Sequence, residues 1–297
     1  MIDRACISLN SRCNLKCIYC HFAEKKNNPD AKMNEFSPDE AKVFCANLYL
    51  YIKSNNLDHF KLGIVGSGEP LLSFAVLKAI VDYFFNSDIR DVIKLYVISN
   101  GTLLNEEIVG FFYNHRDIVE LDISLDGSPE INLRLRGFYP NFDVYKKYFK
   151  EMPRINAVVT KEIIKNKSSI LKFFVDNGFN RINFSKVFGT SNPDISITDD
   201  EYKAFLSDAK SYGIESRQNI AEKKYDCAKY GRLCGVGRNN IFVTKKGVYP
   251  CGRFMNLEKY NLGQWKEPLE EIEIKLAKLS PCPDGMCYYE YNEVDKK

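Results

Sequence analysis

The chain has 297 residues, enough for one large domain or for a domain with an appendage. Hydrophobic residues make up 45% and charged residues 27%, which is ordinary for a soluble globular protein. A net charge of +3 is too small to indicate a nucleic-acid partner, and no apolar run is long enough for a membrane span. Ten cysteines without a recognisable export signal favour a reducing compartment and metal ligation. We therefore expect a cytoplasmic protein that binds neither nucleic acid nor membrane.

Predicted strands and helices alternate along the chain as far as residue 190. The strands lie, in order, in ACISLN, FKLGIVG, VIKLYVIS, IVELDISL, INAVVT and RINFSKVF. The helices between them lie in SPDEAKVFCANLYLYIKS, LLSFAVLKAIVDYFF, NEEIVGFFYNH, NFDVYKKYFKEM and IIKNKSSILKFFVDNG. Strands that are apolar throughout and joined by helices indicate a parallel sheet covered on at least one face. About six such units are too few for a closed eight-fold barrel, so we expect an α/β fold of the partial (β/α)6 TIM-like barrel type, open on one side.

Several boundaries can be placed from local signals. Ser37 is a predicted N-cap, and Glu40 three residues later completes a capping box. Beyond residue 190, TSNPDISITDDEYKAFLSDAKSYG and EPLEEIEIKLAKL predict two more helices. We place a domain boundary near residue 215, with the barrel in residues 1–215 and a small cysteine-rich domain in residues 216–297. In a parallel sheet the chemistry is expected in the loops that follow the strands' C-terminal ends.

Three cysteines follow the first strand in SRCNLKCIYCHF. Three residues separate Cys13 from Cys17, and two separate Cys17 from Cys20. Thiolates at this spacing can bind three irons of a cubic [4Fe–4S] cluster and leave the fourth iron without a protein ligand. An open iron can bind a small molecule and pass it an electron, as in radical chemistry with S-adenosylmethionine. Zinc is the alternative, but it takes four ligands, no second ligand pair lies nearby, and His21 is poorly placed beside Cys20.

With Tyr19 just before its third cysteine, the triplet resembles the C-x3-C-x2-C motif of the radical S-adenosylmethionine superfamily. The resemblance implies a [4Fe–4S] cluster on Cys13, Cys17 and Cys20 that binds S-adenosylmethionine. It also implies a reductant such as flavodoxin or ferredoxin as a partner. The reduced cluster would cleave S-adenosylmethionine to methionine and a 5′-deoxyadenosyl radical, which abstracts hydrogen from a substrate carbon.

The segment GSGEP, residues 66–70, follows the second strand. Glycines permit close backbone approach to a ligand, and a carboxylate can accept hydrogen bonds from an ammonium group. A tight strand-to-helix turn, with Pro70 opening the helix, is the alternative. The segment resembles the superfamily's GGEP motif, with Ser67 in place of the first glycine and Gly68, Glu69 and Pro70 matching. The resemblance implies that Glu69 and the adjacent backbone bind the amino group of S-adenosylmethionine.

Polar residues also end the third and fourth predicted strands. Asn100 ends VISN, and Ser124 and Asp126 lie in DISLDG. Hydroxyl and carboxamide groups there could bind a ribose or a carboxylate, although Asn-Gly and Asp-Gly are also common turn formers.

The longer string SLDGSPEINLRLRG resembles a stretch of the peptide-modifying SPASM/twitch branch of the superfamily. In that branch the matching serine and a downstream arginine contact S-adenosylmethionine, which implies Ser124 and Arg136. Arg134 is the alternative to Arg136, and Asn132 stands near the position of the branch's acidic residue.

Five further cysteines crowd the last quarter of the chain: Cys227, Cys234, Cys251, Cys282 and Cys287. They surround a predicted hairpin, NIFVTKKGVYP, and indicate a second metal site, with zinc as the alternative metal. CGVGRNNIFVTKKGVYPC resembles the opening of the SPASM/twitch signature, but only CPDGMC follows it. The resemblance implies a shortened module with one auxiliary [4Fe–4S] cluster on Cys227, Cys234, Cys251 and either Cys282 or Cys287. The spare cysteine could be inert or donate hydrogen to a substrate radical, and Cys6 and Cys45 are expected to pack as small hydrophobes.

The SPASM/twitch resemblance implies a ribosomally made peptide as the substrate, changed by crosslinking, epimerisation or oxidation. The alternative is dehydrogenation or epimerisation of a small polar molecule such as an aminosugar. A pure electron-transfer or sensing module is disfavoured, because it needs neither GSGEP nor SLDG. Since the first strand begins near residue 2, we expect no N-terminal leader-binding domain. Leader recognition would then come from a separate protein or from the barrel's open edge.

Overall fold

The computed structural model describes residues 1–20, 22, 34–188, 192–214, 226–227, 232–233, 235–255, 257–279 and 287–293. The strands are β1 Arg4–Ile7, β2 Phe60–Ile64, β3 Ile93–Ser99, β4 Val119–Ser124, β5 Ile155–Val159, β6 Ile182–Lys186, β7 Asp226–Cys227, β8 Arg232–Leu233, β9 Asn240–Thr244 and β10 Gly247–Tyr249. The helices are α1 Pro38–Ser54, α2 Phe74–Phe85, α3 Glu106–Asn114, α4 Pro129–Arg136, α5 Asp143–Tyr148, α6 Lys161–Lys165, α7 Lys167–Asp176, α8 Asp199–Ser211, α9 Leu269–Ala277 and α10 Tyr288–Glu293.

Strands β1 to β6 pair in sequence order, each parallel to the next. The sheet is mostly parallel and ends at β6 on one side and β10 on the other, so the strands described do not close into a barrel. The predicted partial (β/α)6 barrel is confirmed. In such a sheet all six carboxyl ends lie at one edge, where the sequence motifs were expected.

The predicted C-terminal hairpin is also present, but it belongs to the same sheet. Strand β9 pairs in parallel with β1, with Ala5 opposite Ile241, and β10 folds back antiparallel on β9. The hairpin therefore extends the barrel beside the strand that leads into the cysteine loop. The domain boundary near residue 215 stays a prediction.

One face of the sheet is apolar and the other is polar. Ile7, Leu62, Val97 and Leu121 are buried in one hydrophobic core with side chains of α1, α2 and α3. The alternate positions on β2 to β6 carry polar residues, including Lys61, Lys94, Glu120, Asn156 and Asn183. The strands are thus not apolar throughout, because only the face that packs on the helices must exclude water.

Local signals set several helix boundaries. The Ser37 hydroxyl accepts a hydrogen bond from Glu40 N (3.2 Å) and the Glu40 carboxylate accepts one from Ser37 N (2.9 Å), which confirms the capping box. Helix α4 was not predicted, although Ser128 caps it, Pro129 opens it and Gly137 ends it at φ 77°. Among the described helices, none is long and apolar enough to cross a membrane.

Candidate functional site

The first half of the cysteine loop lies against the loop that follows β2. The backbone amide of Glu69 donates to the carbonyl of Arg12 (2.7 Å), and Asn10 Nδ2 donates to the carbonyl of Glu69 (3.1 Å). Asn10 Oδ1 accepts from the Arg12 amide (2.8 Å), which turns the chain just before Cys13. Since Asn10 and Glu69 are buried, water does not compete for these bonds.

Gly68 permits this close approach. A Cβ atom at residue 68 would stand 2.5 Å from the carbonyl oxygen of Arg12 and 2.7 Å from that of Asn10, with the Asn10 side chain closer still. The predicted reason for a glycine here was the approach of a ligand. The structure shows that the backbone of the cysteine loop already fills the space that a side chain would need.

The Glu69 carboxylate joins the loops after β2 and β3. It accepts hydrogen bonds from Asn100 N (2.7 Å), Ser99 Oγ (2.8 Å) and Leu71 N (3.0 Å), and the residue is 2% exposed. Burial raises the pKa of this carboxyl above its ordinary value, and the three hydrogen bonds oppose the increase. Pro70 begins a 3-10 turn, Pro70–Ser73, so the predicted turn is confirmed. Binding of a cofactor amino group by Glu69 stays a prediction.

Asn100 faces the cysteine loop from the end of β3. Its Nδ2 atom donates to Asn14 Oδ1 (2.9 Å) and lies 3.8 Å from Cys13 Sγ, within the range of a hydrogen bond to sulfur. Asn14 in turn donates to Thr102 Oγ1 (2.7 Å). The loops after β2 and β3 therefore hold the loop on both sides of Cys13.

The second half of the cysteine loop lies against β4 and α4. The Ile18 amide donates to the carbonyl of Leu135 (3.0 Å), and the Tyr19 hydroxyl donates to Asp126 Oδ2 (2.5 Å). Arg136 binds the same carboxylate with two nitrogens, Nε to Oδ2 (2.8 Å) and Nη2 to Oδ1 (2.9 Å). All three side chains of this network are buried.

The two candidate arginines of α4 have different surroundings. Arg134 has a side chain that is 51% exposed, and it pairs with Glu130 and Glu162 on the outside of the fold. Arg136 lies inside, against Asp126 and behind Tyr19. Ser124 ends β4 and is half-buried. Contacts of Ser124 and Arg136 with a cofactor stay predictions.

Cys13, Cys17 and Cys20 carry thiols rather than disulfides and are partly exposed. Their chemistry fits an iron–sulfur cluster, in which each thiolate binds a different iron. Within the described ranges, no three His, Cys, Asp or Glu side chains converge as they would around a single metal ion. Cys45 lies on α1 and is fully buried in the core, as expected for a small hydrophobe. Burial raises the pKa of its thiol.

Of the five C-terminal cysteines, Cys251 and Cys287 have described side chains. Cys251 Sγ accepts from the Arg253 amide (3.3 Å), and Cys287 Sγ accepts from Arg253 Nη1 (3.1 Å). The Arg253 guanidinium also lies over the ring of Phe188, 3.5 Å from its centroid. Cys234 and Cys282 lie outside the described residues, as does the side chain of Cys227, whose backbone is in β7.

Sequence reasoning missed several residues that support this site. Asn10, Asn14 and Thr102 hold the first half of the cysteine loop, and Arg253 contacts both described C-terminal thiols. Asn10 could have been found, because it is a polar residue at the carboxyl end of β1 beside the cysteines. Thr102 and Arg253 carry no such signal, since only the tertiary fold brings them to their partners.

Comparison with known proteins identifies the class. Residues 7–166 match the family model described as the Radical SAM superfamily. Because this match spans more than half of the chain, the chain belongs to the Radical SAM superfamily. Membership implies a radical enzyme that uses a [4Fe–4S] cluster and S-adenosylmethionine.

Two relatives cover most of the chain. An uncharacterized protein of Methanocaldococcus jannaschii is 29% identical over 264 residues, which are 82% of this chain and 83% of that protein. A cysteine-type anaerobic sulfatase-maturating enzyme of Clostridium novyi is 25% identical over 290 residues, which are 87% of this chain and 75% of the enzyme.

Solved structures share the fold. Native anSMEcpe with bound AdoMet and Cp18Cys peptide superimposes with a TM-score of 0.69 at 18% identity, over 97% of this chain and 86% of that one. Streptococcus suis SuiB bound to the precursor peptide SuiA superimposes with a TM-score of 0.68 at 16% identity, over 94% of this chain and 65% of SuiB. At these identities the likenesses show that the fold is shared.

Proposed function

We propose that this radical S-adenosylmethionine enzyme modifies a ribosomally made peptide by crosslinking, epimerisation or oxidation. The observation that carries the proposal is the similarity to a sulfatase-maturating enzyme along 87% of the chain. Two proteins of the same fold, anSMEcpe and SuiB, have been solved with peptides bound, which supports a peptide rather than a small polar molecule.

Cys13, Cys17 and Cys20 are the proposed ligands of the [4Fe–4S] cluster. Once bound, the cluster and S-adenosylmethionine supply a 5′-deoxyadenosyl radical that abstracts hydrogen from the substrate. The chain's own residues fix the loop for this task. Asn100 and Asn14 hold it at Cys13, and the Ile18 amide and the Tyr19 hydroxyl hold it near Cys17 and Cys20.

The proposed S-adenosylmethionine site lies at the carboxyl ends of β2, β3 and β4. Its proposed residues are Tyr19, Ser67, Gly68, Glu69, Pro70, Asn100, Ser124 and Arg136. Because the Glu69 carboxylate already accepts three bonds from the fold, it also fixes the backbone that would receive the cofactor. Ser124 is half-buried at the same edge, where a hydroxyl can reach a ligand.

A second, auxiliary [4Fe–4S] cluster is proposed in the C-terminal quarter of the chain. Arg253 donates to the sulfurs of both Cys251 and Cys287, and such donors stabilise the thiolate form that binds iron. The proposed ligands are Cys227, Cys234, Cys251 and either Cys282 or Cys287, and the sulfur of Cys287 has the Arg253 side chain as a donor. We further propose a cytoplasmic location, flavodoxin or ferredoxin as the reductant, and a separate leader-binding protein as a further partner.

The test is an anaerobic reaction of the loaded enzyme with S-adenosylmethionine, a reductant and two substrate panels, one of peptides and one of aminosugars. We expect 5′-deoxyadenosine together with a changed peptide. Crosslinking or oxidation removes two hydrogen atoms, and epimerisation in deuterated water introduces one deuterium. An enzyme without Cys13, Cys17 and Cys20 serves as the inactive control. Turnover of an aminosugar with every peptide unchanged would contradict the proposal.

A further inference from the structure

A buried carboxylate connects the cysteine loop to the end of β4. Asp126 is 1% exposed, and both of its oxygens are fully engaged. Oδ1 accepts from Arg136 Nη2 (2.9 Å) and Val158 N (2.8 Å), and Oδ2 accepts from Arg136 Nε (2.8 Å) and Tyr19 Oη (2.5 Å). Four donors fill the four acceptor positions of an ionised carboxylate. Its orientation is therefore fixed from β5, α4 and the cysteine loop together.

Tyr19 transmits this orientation to the loop. It adjoins Cys20 and stands two residues from Cys17, so a fixed phenol ring fixes the backbone between these two cysteines. Its ring also lies near the Arg136 guanidinium, whose carbon is 5.5 Å from the ring centroid. A hydrogen bond to a buried carboxylate defines a direction, which an apolar contact of the same volume does not.

A backbone hydrogen bond beside Tyr19 also joins the cysteine loop to α4. The Ile18 amide donates to the carbonyl of Leu135, beside Arg136 at the end of α4. Within α4, Asn132 accepts from the Asp126 amide (2.8 Å) and donates to the carbonyl of Phe138 (2.6 Å). The carboxylate, its turn and the helix end thus form one rigid support.

We propose that Asp126 is a positioning residue that, through Tyr19, sets where Cys17 and Cys20 present their sulfurs to the cluster. Arg136 then has the role of fixing the Asp126 carboxylate, in addition to any contact with a cofactor. The inference rests on the proposed role of the three N-terminal cysteines. It goes beyond that role, because it proposes that a residue after β4 controls the conformation of the cysteine loop.

The test compares Tyr19→Phe with Tyr51→Phe. Tyr51 is the control because its buried hydroxyl also donates to a carboxylate, Glu273 Oε2 (2.6 Å). Tyr51 lies on α1 and Glu273 on α9, and these two helices are in contact. Both variants lose the bond to a carboxylate, and Tyr51→Phe also loses the bond that its hydroxyl accepts from the Ile2 amide (2.8 Å). The melting temperature of Tyr51→Phe should therefore fall at least as far as that of Tyr19→Phe. The readouts are the rate of iron loss to a chelator from the anaerobic, loaded protein and the electron paramagnetic resonance signal that responds to S-adenosylmethionine.

We expect the Tyr19→Phe protein to lose iron about tenfold faster than the wild type, the effect of one hydrogen bond to a charged group. Its cofactor-responsive signal should also change shape. The Tyr51→Phe protein should match the wild type in both. Equal iron loss and equal signals in the two variants would overturn the inference.

Asp126→Asn supplies a second arm. If Tyr19 acts through Asp126, the double variant with Tyr19→Phe should lose iron no faster than Asp126→Asn alone. Additive effects would contradict the link. Should Asp126→Asn fail to fold, the comparison of the two tyrosine variants decides by itself. A triple variant without Cys13, Cys17 and Cys20 that binds as much iron as the wild type would overturn the proposed function and this inference together.

Discussion

Gly68→Ala is the sharpest perturbation of the contact between the loop after β2 and the cysteine loop. The new methyl group would stand 2.5 Å from the Arg12 carbonyl oxygen and 2.7 Å from that of Asn10, well inside van der Waals contact. Both obstacles are backbone atoms, so neither can rotate away as a side chain would. The two loops must therefore separate.

The cost follows from two contributions. Overpacking of a buried contact costs about 1–3 kcal/mol. Separation also breaks the 2.7 Å bond from the Glu69 amide to Arg12, and an unmade buried bond adds about 1 kcal/mol. We expect the free energy of unfolding to fall by about 2–4 kcal/mol in total.

The assay is urea unfolding of the cluster-free protein, followed by iron binding during anaerobic reconstitution. Gly110→Ala is the matched control. Gly110 lies within α3, and a Cβ there would find its nearest neighbour, a Tyr148 ring carbon, at an ordinary 3.5 Å. Alanine in a helix is favoured over glycine by up to about 1 kcal/mol, so this control should be neutral or stabilising.

The two substitutions should therefore affect the free energy of unfolding differently: Gly68→Ala lowers it, and Gly110→Ala leaves it unchanged or raises it. The Gly68→Ala protein should have a lower urea midpoint at an unchanged slope and should bind less iron at the N-terminal site. A midpoint equal to that of the control, with full iron binding, would refute the steric reasoning.

Three further predictions concern the clusters and the acid stability of the fold. Replacing the three N-terminal cysteines by alanine should leave only the auxiliary iron, and unchanged iron content by chemical assay would contradict this. Arg253→Leu should weaken auxiliary iron binding by removing the side-chain donor to Cys287, with the cofactor-responsive signal retained as the internal check. The Lys245 ammonium and the Ser37 amide lower the pKa of Glu40, so its stabilisation is present above the ordinary carboxyl pKa and is lost as the pH falls through the lowered value. Glu40→Gln should thus lower the urea midpoint at neutral pH and converge with the wild type once the pH has fallen below the lowered pKa of Glu40; a difference that stays constant with pH would disprove the assignment.

Short-range patterns predicted the fold well. The six parallel strands, the capping box at Ser37 and the hairpin at β9 and β10 all depend on residues close together in sequence. Helix α4, which was not predicted, carried equally local signals in Ser128, Pro129 and Gly137. A helical segment that looked continuous divides at Asn166 into α6 and α7.

The candidate site was only partly predictable. The resemblance implies that Glu69 and Arg136 contact a cofactor, which stays a prediction, and the structure adds that both side chains bind other parts of the chain. A sequence motif identifies the residues, but it does not show which groups form hydrogen bonds with their polar atoms. The sequence places Asp126 only at a strand end, in an Asp-Gly pair typical of turns, whereas the structure shows that Tyr19 and Arg136 both bind its carboxylate.

The amino-acid sequence alone determined the kind of chemistry, because three thiolates at fixed spacing act within eight residues of one another. It also determined which segments form strands and helices, since apolar periodicity acts over one element at a time. Only the tertiary structure decided how the cysteine loop is held. Asn10, Asn100 and Asp126 come from different strand ends, and a parallel sheet brings them to a single edge.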